Sequence, residues 1–284
     1  MDIIDTTATA TCENGSSQHF GDEGTMTVLI TGATGGLGTE LANLFASDGY
    51  NLVLVARSQQ KLDKAAASLC NEHGVDIATF ACDLSQNGAA ERIFDFVEQQ
   101  GIVVNALVNN AGFGYDAPFV ESDLSRQRDL VQVNDMALME LCYLFGVDMA
   151  ARGTGEILNI ASMAGFMPGT YMATYYASKA FVQSFSQALH AELKPYGVHV
   201  TALCPGPLRT DFWKEADADK TFLGGRLASA GRVAADGYTA LKNNKALCVP
   251  WLFPKVIVFL ARFTPYSVMR WATGVIQNPK QQRK

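Results

Sequence analysis

Tyr175 and Lys179 lie four residues apart in the stretch TYYASKA (174–180), which otherwise consists mostly of small residues. If this stretch is helical, the two side chains share one helix face, while Tyr176 points elsewhere. An ammonium beside a phenol favours the phenolate and lowers the pKa of the tyrosine toward neutrality. Such a pair can give and take a proton at physiological pH. Taken alone, such a pair is more often a surface lysine beside a core tyrosine. Whether it is catalytic therefore has to be judged from the other motifs of the chain.

The elements around this pair alternate between apolar strands and amphipathic helices. The sequence predicts strands over 27–31, 51–56, 77–83, 104–112, 155–162 and 198–206, and helices over about 39–48, 58–73, 88–100, 123–151 and 174–195. Strands that are apolar throughout indicate a parallel sheet with helices on both faces. We therefore predict one Rossmann-like, doubly wound α/β domain over residues 26–284. Ligands of such sheets bind beyond the carboxyl ends of the strands.

Composition excludes several other classes of protein. The chain has 284 residues, of which 48% are hydrophobic, and a net charge of −6, which gives no overall attraction to nucleic acid. Six scattered cysteines without a C-x-x-C pair and four unclustered histidines disfavour a disulfide framework and a metal site. Reduced cysteines fit the cytoplasm, where we expect the protein to reside.

The two ends of the chain differ in composition from the middle. Residues 1–25 contain no Lys or Arg and are rich in Thr, Ser, Gly and acids, so they lack the features of a secretory signal. We predict a disordered leader or extension there, with the fold starting near Met26. Residues 237–284 carry 8 basic and no acidic side chains, together with many aromatic residues. This basic segment either lies on an anionic membrane surface or, as we favour, packs over the substrate pocket or a subunit interface.

The stretch TGATGGLG (31–38) lies between the first predicted strand and the first predicted helix, where a dinucleotide fingerprint belongs. Glycines let backbone N–H groups approach a pyrophosphate at the helix N-terminus. The spacing alone fits both T-G-x-x-x-G-x-G and T-G-x-x-G-x-x-G. The candidate cofactor-binding residues here are Gly32, Thr34, Gly35, Gly36, Leu37 and Gly38.

The end of the second predicted strand favours NADP(H) over NAD(H). An NAD site would place an acid there, but the chain has Arg57, whose guanidinium can hold a 2′-phosphate. The alternative is a solvated arginine at the sheet edge. Asp83 and Leu84, which close the third predicted strand, flank the adenine, or else Asp83 is the N-cap of the next helix.

Further motifs follow in order: NNAG (109–112), Asn134 in VQVND, Ser162 in NIAS, YYASK and PGPLRT (205–210). With the glycine stretch, this series resembles the short-chain dehydrogenase/reductase superfamily in its single-domain branch, over residues 26 to about 212. The NNAG stretch is absent from the extended branch, so the resemblance selects the T-G-x-x-x-G-x-G spacing and assigns Gly32, Gly36 and Gly38 to the cofactor turn.

The resemblance also implies a role for each residue. Tyr175 is the general acid or base, and Lys179 lowers its pKa and holds the nicotinamide ribose. Ser162 binds the substrate oxygen, and Asn134 holds a water that connects Lys179 to solvent. Further cofactor contacts are implied for Asn110, Ala111, Gly112, Pro205, Gly206, Leu208 and Thr210, whereas Tyr176 has no family role and is assigned to packing.

The resemblance implies a carbonyl–alcohol oxidoreductase that is commonly a dimer or tetramer. The loops 113–119, 163–172 and 211–230 are rich in Phe, Met, Tyr and Gly and carry few charges, which predicts an apolar ketone, aldehyde or secondary alcohol as substrate. The tail is similar to that of bacterial reductases related to hydroxysteroid and long-chain 3-ketoacyl reductases. The alternative is a nucleotide sensor or scaffold of the same fold without catalysis.

Overall fold

The strands of the described residues form one sheet, in which all but one run parallel. The computed structural model describes residues 7–10, 20, 24–208 and 228–277. The strands are β1 (Thr7–Ala10), β2 (Thr27–Thr31), β3 (Asn51–Ala56), β4 (Ile77–Ala81), β5 (Ala106–Asn109), β6 (Gly155–Ile160), β7 (Val198–Leu203) and β8 (Leu247–Cys248). Their order is β1-β4-β3-β2-β5-β6-β7-β8, and only β1 is antiparallel to its neighbour.

Helices cover both faces of this sheet, as predicted for a doubly wound fold. They are α1 (Gly36–Ser47), α2 (Gln59–His73), α3 (Ala89–Gln99), α4 (Leu124–Val131), α5 (Ala137–Arg152), α6 (Ala173–Leu193), α7 (Ala230–Lys242), α8 (Leu252–Ala261) and α9 (Tyr266–Ile276). One core contains α1, α2 and α7, and the other contains α3, α5 and α6. Strands β2 and β3 are buried along their whole length, which explains why they lack an alternating pattern.

The strand order reverses at β2, which lies between β3 and β5. The chain moves to one side of β2 through β3 and β4 and then returns to the other side at β5. A crevice therefore opens between the loops that follow β2 and β5. Asn110 bridges this point, since its backbone N–H donates to the Thr31 hydroxyl at 3.1 Å and its Nδ2 donates to the Thr31 carbonyl at 3.0 Å.

A π-helical segment, Gln132–Met136, separates α4 from α5 and contains Asn134. The sequence predicted one long helical pattern over about 123–151 and did not predict the π turn within it. Between Leu124 and Arg152 the helix is long and apolar enough to cross a membrane by length and composition. In the fold, α4 packs against α6 and α5 packs against α3 and the sheet, as expected for a core helix.

Some sequence expectations differ from the structure. The sheet extends into the predicted leader, because β1 pairs with β4 before the predicted start at Met26. Cys70 is disulfide-bonded, whereas we expected reduced cysteines. The strand predicted over 77–83 ends at Ala81, and the one predicted over 104–112 covers only Ala106–Asn109, because the residues that follow turn toward the crevice.

Candidate active site

A cavity of about 1260 Å³ opens at the carboxyl ends of the strands and runs from the glycine stretch to the C-terminal helices. It gathers most of the residues that the sequence singled out, and they come from the ends of six strands, β2 to β7, and from α6. These are Gly32, Thr34, Gly35, Gly36, Leu37, Arg57, Asp83, Leu84, Asn110, Ala111, Gly112, Ser162, Tyr175, Lys179, Pro205, Gly206 and Leu208. Gly38 and Asn134 lie behind its wall, and Thr210 is outside the described residues.

The glycine stretch is a tight turn that fits a dinucleotide. Gly32 has φ +63° and lies against Ala111 and Asn110, and an added Cβ would come within 2.9 Å of both. A Cβ on Gly38 would lie 2.3 Å from the Gly32 carbonyl oxygen. Gly35 is the N-cap of α1, so the first N–H groups of that helix face the cavity. These features form a backbone cradle for a pyrophosphate.

Basic groups line the cavity at the end of β3. Arg57 follows this strand, and Ser58 caps α2, its hydroxyl accepting from the Lys61 N–H at 3.4 Å. The side of the cavity near Arg57 also includes Lys61, which the sequence analysis did not select. Its position could have been predicted, because Lys61 lies in the first turn of α2, four residues after Arg57. Two cations and a helix N-terminus meet here, an arrangement that suits a phosphate group.

Asp83 and Leu84 also reach the cavity wall. The Ser85 N–H donates to Asp83 Oδ1 at 3.0 Å, and the backbone N–H of Gln86 donates to the Asp83 carbonyl. Asp83 therefore closes a turn of its own. It is not the N-cap of the next helix, because α3 begins only at Ala89 and is capped by Gly88.

Tyr175 lies in the first turn of α6, where its hydroxyl is hydrogen-bonded to the Ser162 side chain. Ser162 follows β6 and is itself fixed by the Ala164 N–H, which donates to Oγ at 3.1 Å. Burial raises the pKa of Tyr175, and the bond to Ser162 acts in the opposite direction. For the protein without a bound ligand, the prediction that Lys179 lowers the pKa of Tyr175 is wrong. Nζ lies 6.0 Å from the ring centre, and burial has the larger effect on this pKa.

Lys179 lies one turn after Tyr175 and is only 5% exposed. Its Nζ donates to the Ile160 carbonyl at 2.9 Å. Burial lowers the pKa of Lys179 to about 8, and the Asp135 carboxylate acts in the opposite direction. The ammonium is thus charged at neutral pH and has donors left for a ligand, because one hydrogen bond uses a single proton.

Asn134 is fully buried beside this lysine. Its Nδ2 donates to the Phe113 carbonyl and to the Ser178 hydroxyl, both at 3.0 Å, and its Oδ1 accepts from the Phe113 N–H at 3.1 Å. A Cβ added to Gly112 would lie 3.0 Å from Asn134 Oδ1 and 3.3 Å from Lys179 Nζ. Asn134 and Lys179 therefore converge on Gly112, and the amide also anchors the loop that follows β5.

The C-terminal helices close the far end of the cavity. Gly206 lies beneath α8, because an added Cβ would come 2.7 Å from Pro254 and 3.2 Å from Trp251. The Pro205 carbonyl accepts from the Met163 N–H at 2.8 Å, and Leu208 forms a bridge with Ala228. The lining contributed by α8 and α9 and by the residue that follows α9 is Phe253, Ile257, Thr273, Ile276 and Gln277. This packing agrees with the alternative that we favoured for the basic segment.

The sequence predicted only a packing role for Tyr176, but the structure places it in the cavity wall. It lines the cavity, and its hydroxyl accepts from Gln277 Nε2 at 2.7 Å. Asp116 lines the same region and is a second residue that the sequence analysis missed. Asp116 belongs to no motif, and Tyr176 has no assigned role in the YYASK motif. The partner of Tyr176, Gln277, is 101 residues away, so short-range spacing gave no signal.

A doubly wound sheet with a glycine cradle at its switch point and a Tyr–Ser–Lys group beside it defines a dinucleotide-binding protein. A family model described as short chain dehydrogenase matches residues 26–221, and the chain belongs to this family.

Curated relatives include very-long-chain 3-oxoacyl-CoA reductases. The one from Phaeosphaeria nodorum is 41% identical over 191 residues, which is 65% of this chain and 55% of the relative. The one from Anas platyrhynchos is 33% identical over 231 residues, with 79% and 72% covered. The chain thus spans about half the length of the first of these relatives.

Solved structures give the same family. A short-chain dehydrogenase from Sphingobium yanoikuyae in complex with NADPH is 32% identical, with a TM-score of 0.76 over 84% of this chain and 94% of that one. A bulky-bulky ketone specific alcohol dehydrogenase from Comamonas testosteroni is 30% identical, with a TM-score of 0.73 over 84% and 92%.

Replacement of Gly38 by alanine tests the cradle. The new Cβ collides with the Gly32 carbonyl, a backbone atom that cannot move without opening the turn. We expect Gly38→Ala to weaken NADPH binding roughly tenfold to a hundredfold, because donors misplaced by about 1 Å no longer fit the pyrophosphate. Fluorescence titration with NADPH measures the dissociation constant. The control is Gly146→Ala in α5, where the nearest atom would be 3.7 Å away, and equal affinities for the two variants would refute the assignment.

Proposed function

We propose that this protein is an NADP(H)-dependent oxidoreductase that interconverts an apolar ketone or aldehyde and an alcohol. The observation that carries the proposal is the Tyr175 hydroxyl, which is bonded to Ser162 and faces the same cavity as the glycine cradle and Lys179. The family, with its curated relatives named as reductases, supports this reaction.

The chemistry divides between the cofactor and the protein. A bound nicotinamide supplies or accepts the hydride, and the glycine cradle, Asn110 and Lys179 would hold the dinucleotide. Ser162 orients the carbonyl oxygen and stabilises the negative charge that develops on it. Tyr175 gives its proton to that oxygen, and its raised pKa keeps it protonated at neutral pH, as a general acid must be.

Lys179 acts on the phenolate that remains after this proton transfer. Its ammonium is charged below pH about 8 and stabilises a negative charge on the neighbouring ring. We propose that Asn134, which meets Lys179 at Gly112, holds a water that returns the proton from solvent. In the oxidative direction the same groups work in reverse, with Tyr175 as the base.

Tyr175→Phe separates an enzyme from a catalytically silent sensor or scaffold. Loss of the acid lowers turnover about 10²- to 10⁴-fold, while NADPH binding stays within about twofold. NADPH oxidation is measured with medium- and long-chain ketones and with short polar ketones. The control is Tyr196→Phe, whose side chain is 57% exposed.

Two outcomes of this experiment contradict the proposal. Binding of NADPH without turnover in both the wild type and Tyr175→Phe would favour the sensor. Equal activity toward long apolar and short polar ketones would contradict the apolar substrate. The apolar lining of the cavity and the names of the ketone and 3-oxoacyl-CoA relatives support that substrate class.

The preference for NADP(H) depends on Arg57 and Lys61. A phosphate held by a guanidinium and an ammonium next to the start of α2 gains strong charge-assisted bonds. We expect Arg57→Ala to raise the KM for NADPH roughly tenfold and to leave the KM for NADH almost unchanged. Lys194→Ala, at the opposite edge of the sheet, is the matched control. Similar changes in both KM values would show that Arg57 does not read the 2′-phosphate.

The outer face of α8 and α9 favours a second property, contact with an anionic membrane surface. Phe259, Phe263 and Trp271 are 61%, 73% and 71% exposed, and the chain has only basic charges after residue 237. Aromatic side chains beside cations suit the headgroup region of such a membrane. The inner faces of the same helices line the cavity, so both proposed roles of the basic segment are compatible.

A vesicle experiment tests this contact. We expect co-sedimentation with phosphatidylserine-containing vesicles and a loss of roughly tenfold in binding for the triple variant Phe259→Ser, Phe263→Ser and Trp271→Ser, because the apolar anchors are removed. The control is Val103→Ser with Tyr196→Ser, two exposed residues before β5 and β7. Absence of vesicle binding, with a change from dimer to monomer in the triple variant, would assign the face to a second copy of the chain.

A further inference from the structure

Several polar side chains line the cavity beyond Tyr175, and three of them lie close together. Asp116 comes from the loop after β5, Tyr176 from α6 and Gln277 from the end of α9. The proposed catalytic steps use none of them. We call these three residues the distal polar cluster.

The structure holds this cluster at a fixed distance from the reacting centre. The Tyr176 hydroxyl accepts from Gln277 Nε2 at 2.7 Å. Its ring meets the Tyr175 ring edge to face, with centroids 6.0 Å apart. On its other side the ring packs against Gly169, where an added Cβ would lie 2.2 Å away. Tyr176 therefore cannot swing out of the wall without a backbone shift.

Asp116 is tied to the same region through the backbone. The Ala117 N–H donates at 3.0 Å to the carbonyl of Tyr171, in the loop that precedes α6. The Asp116 carboxylate is also close enough to raise the pKa of Tyr176, although burial is the larger cause. Three separate parts of the chain thus converge on one spot of the cavity wall.

The cluster contains hydrogen-bond acceptors that the protein does not pair. Asp116 Oδ1 and Gln277 Oε1 are both buried, and within the described part of the chain neither has a hydrogen-bond partner. Unpaired buried acceptors are rare in folded proteins, because each has given up its bonds to water. Asp116 and Gln277 both line the cavity, so a ligand in the cavity can donate to these two oxygens.

None of the three side chains of the cluster offers a positive charge to a ligand anion, and Arg126, which lines the same cavity, lies over the Tyr115 ring at 4.6 Å. Burial raises the pKa of Asp116 to about 6, and no cation is among the causes that act on it. At neutral pH the carboxylate is therefore mostly ionised and would repel a second negative group nearby. A neutral group with an O–H or N–H can instead donate to these oxygens without bringing a charge into the apolar wall.

We propose that the distal polar cluster binds a hydroxyl or amide N–H of the substrate and so selects carbonyl compounds that carry such a donor beyond the reacting carbonyl. This inference rests on the proposed function. It adds a requirement to the apolar substrate: a neutral hydrogen-bond donor that reaches the cluster beside Tyr176, whose ring centroid lies 6.0 Å from that of Tyr175.

Matched substrates test this selection. One pair is a long-chain hydroxyketone and its methyl ether, and a second pair is an N-alkyl 3-oxoamide and the corresponding ester. We expect wild-type kcat/KM to favour the donor-bearing member of at least one pair about tenfold or more, because its loss leaves buried acceptors unpaired. The two pairs show whether hydroxyl or amide is the better donor.

Two variants then locate the effect. Asp116→Asn and Gln277→Met each remove or weaken one acceptor, and we expect both to raise the KM of the donor-bearing substrates alone and reduce the preference below about threefold. The kcat for plain alkanones should stay unchanged. The control is Asp129→Asn, an exposed carboxylate at the mouth of the same cavity. Thermal unfolding identifies a variant that fails to fold, in which case the other variant decides.

A wild-type enzyme that reduces both members of each pair equally well overturns the inference and leaves the proposed function intact. A preference that persists in both variants overturns it as well. If the wild type reduces no ketone, the proposed function fails, and calorimetric binding of the same compounds to the NADP⁺ complex becomes the readout. Tighter binding of the donor-bearing member in the wild type, lost in Asp116→Asn, would still support the cluster, and equal binding would refute it.

Discussion

The burial of a single ammonium group, that of Lys179, is the constraint on which the site depends. A buried cation is costly unless its surroundings bind it, and here the Ile160 carbonyl does so at 2.9 Å. Glycine is required at Gly165, where a Cβ would lie 2.5 Å from the Lys179 carbonyl oxygen. A Cβ on Gly112 would lie 3.3 Å from Nζ. Glycines on two loops therefore leave room for Lys179, one beside its backbone and one beside its ammonium group.

This arrangement leaves Tyr175 as a protonated acid in the protein itself. The ammonium lies 6.0 Å from the ring centre, and the direct partner of the phenol is Ser162. Burial therefore has a larger effect on the pKa of Tyr175 than the distant Lys179 charge does. Lys179 therefore stabilises the phenolate that forms after proton transfer more than it affects the protonated Tyr175.

Much of the fold and of the cofactor end could be predicted from the sequence, because the signals there are local. Apolar runs gave the strands β2 to β7, and the glycine spacing and Arg57 lie within a few residues of the strand ends that position them. The substrate end could not be predicted in this way. Tyr176 and Gln277 meet only because the end of α9 reaches the first turn of α6, and Asp116 joins them through a loop with no motif.

The short β1 strand was missed for a related reason. Its four residues, Thr and Ala in alternation, are small and only weakly hydrophobic, and their position depends on the edge of β4. The basic segment is a more instructive case. Its composition left two alternative roles open, and only the position of Phe253 and Ile257 in the cavity wall shows which side chains are turned inward.

The π turn at Gln132–Met136 has a consequence for how this part of the chain is built. A π turn holds one more residue than an α turn, so the side chains after it are rotated by about 100° relative to those before it. The α4 part of this long helix can therefore pack against α6 while the α5 part packs against α3. Asn134 lies in the π turn between the two parts. Deletion of one residue from this turn would give α4 and α5 the same helical phase. The Asn134 side chain would then no longer reach the loop after β5.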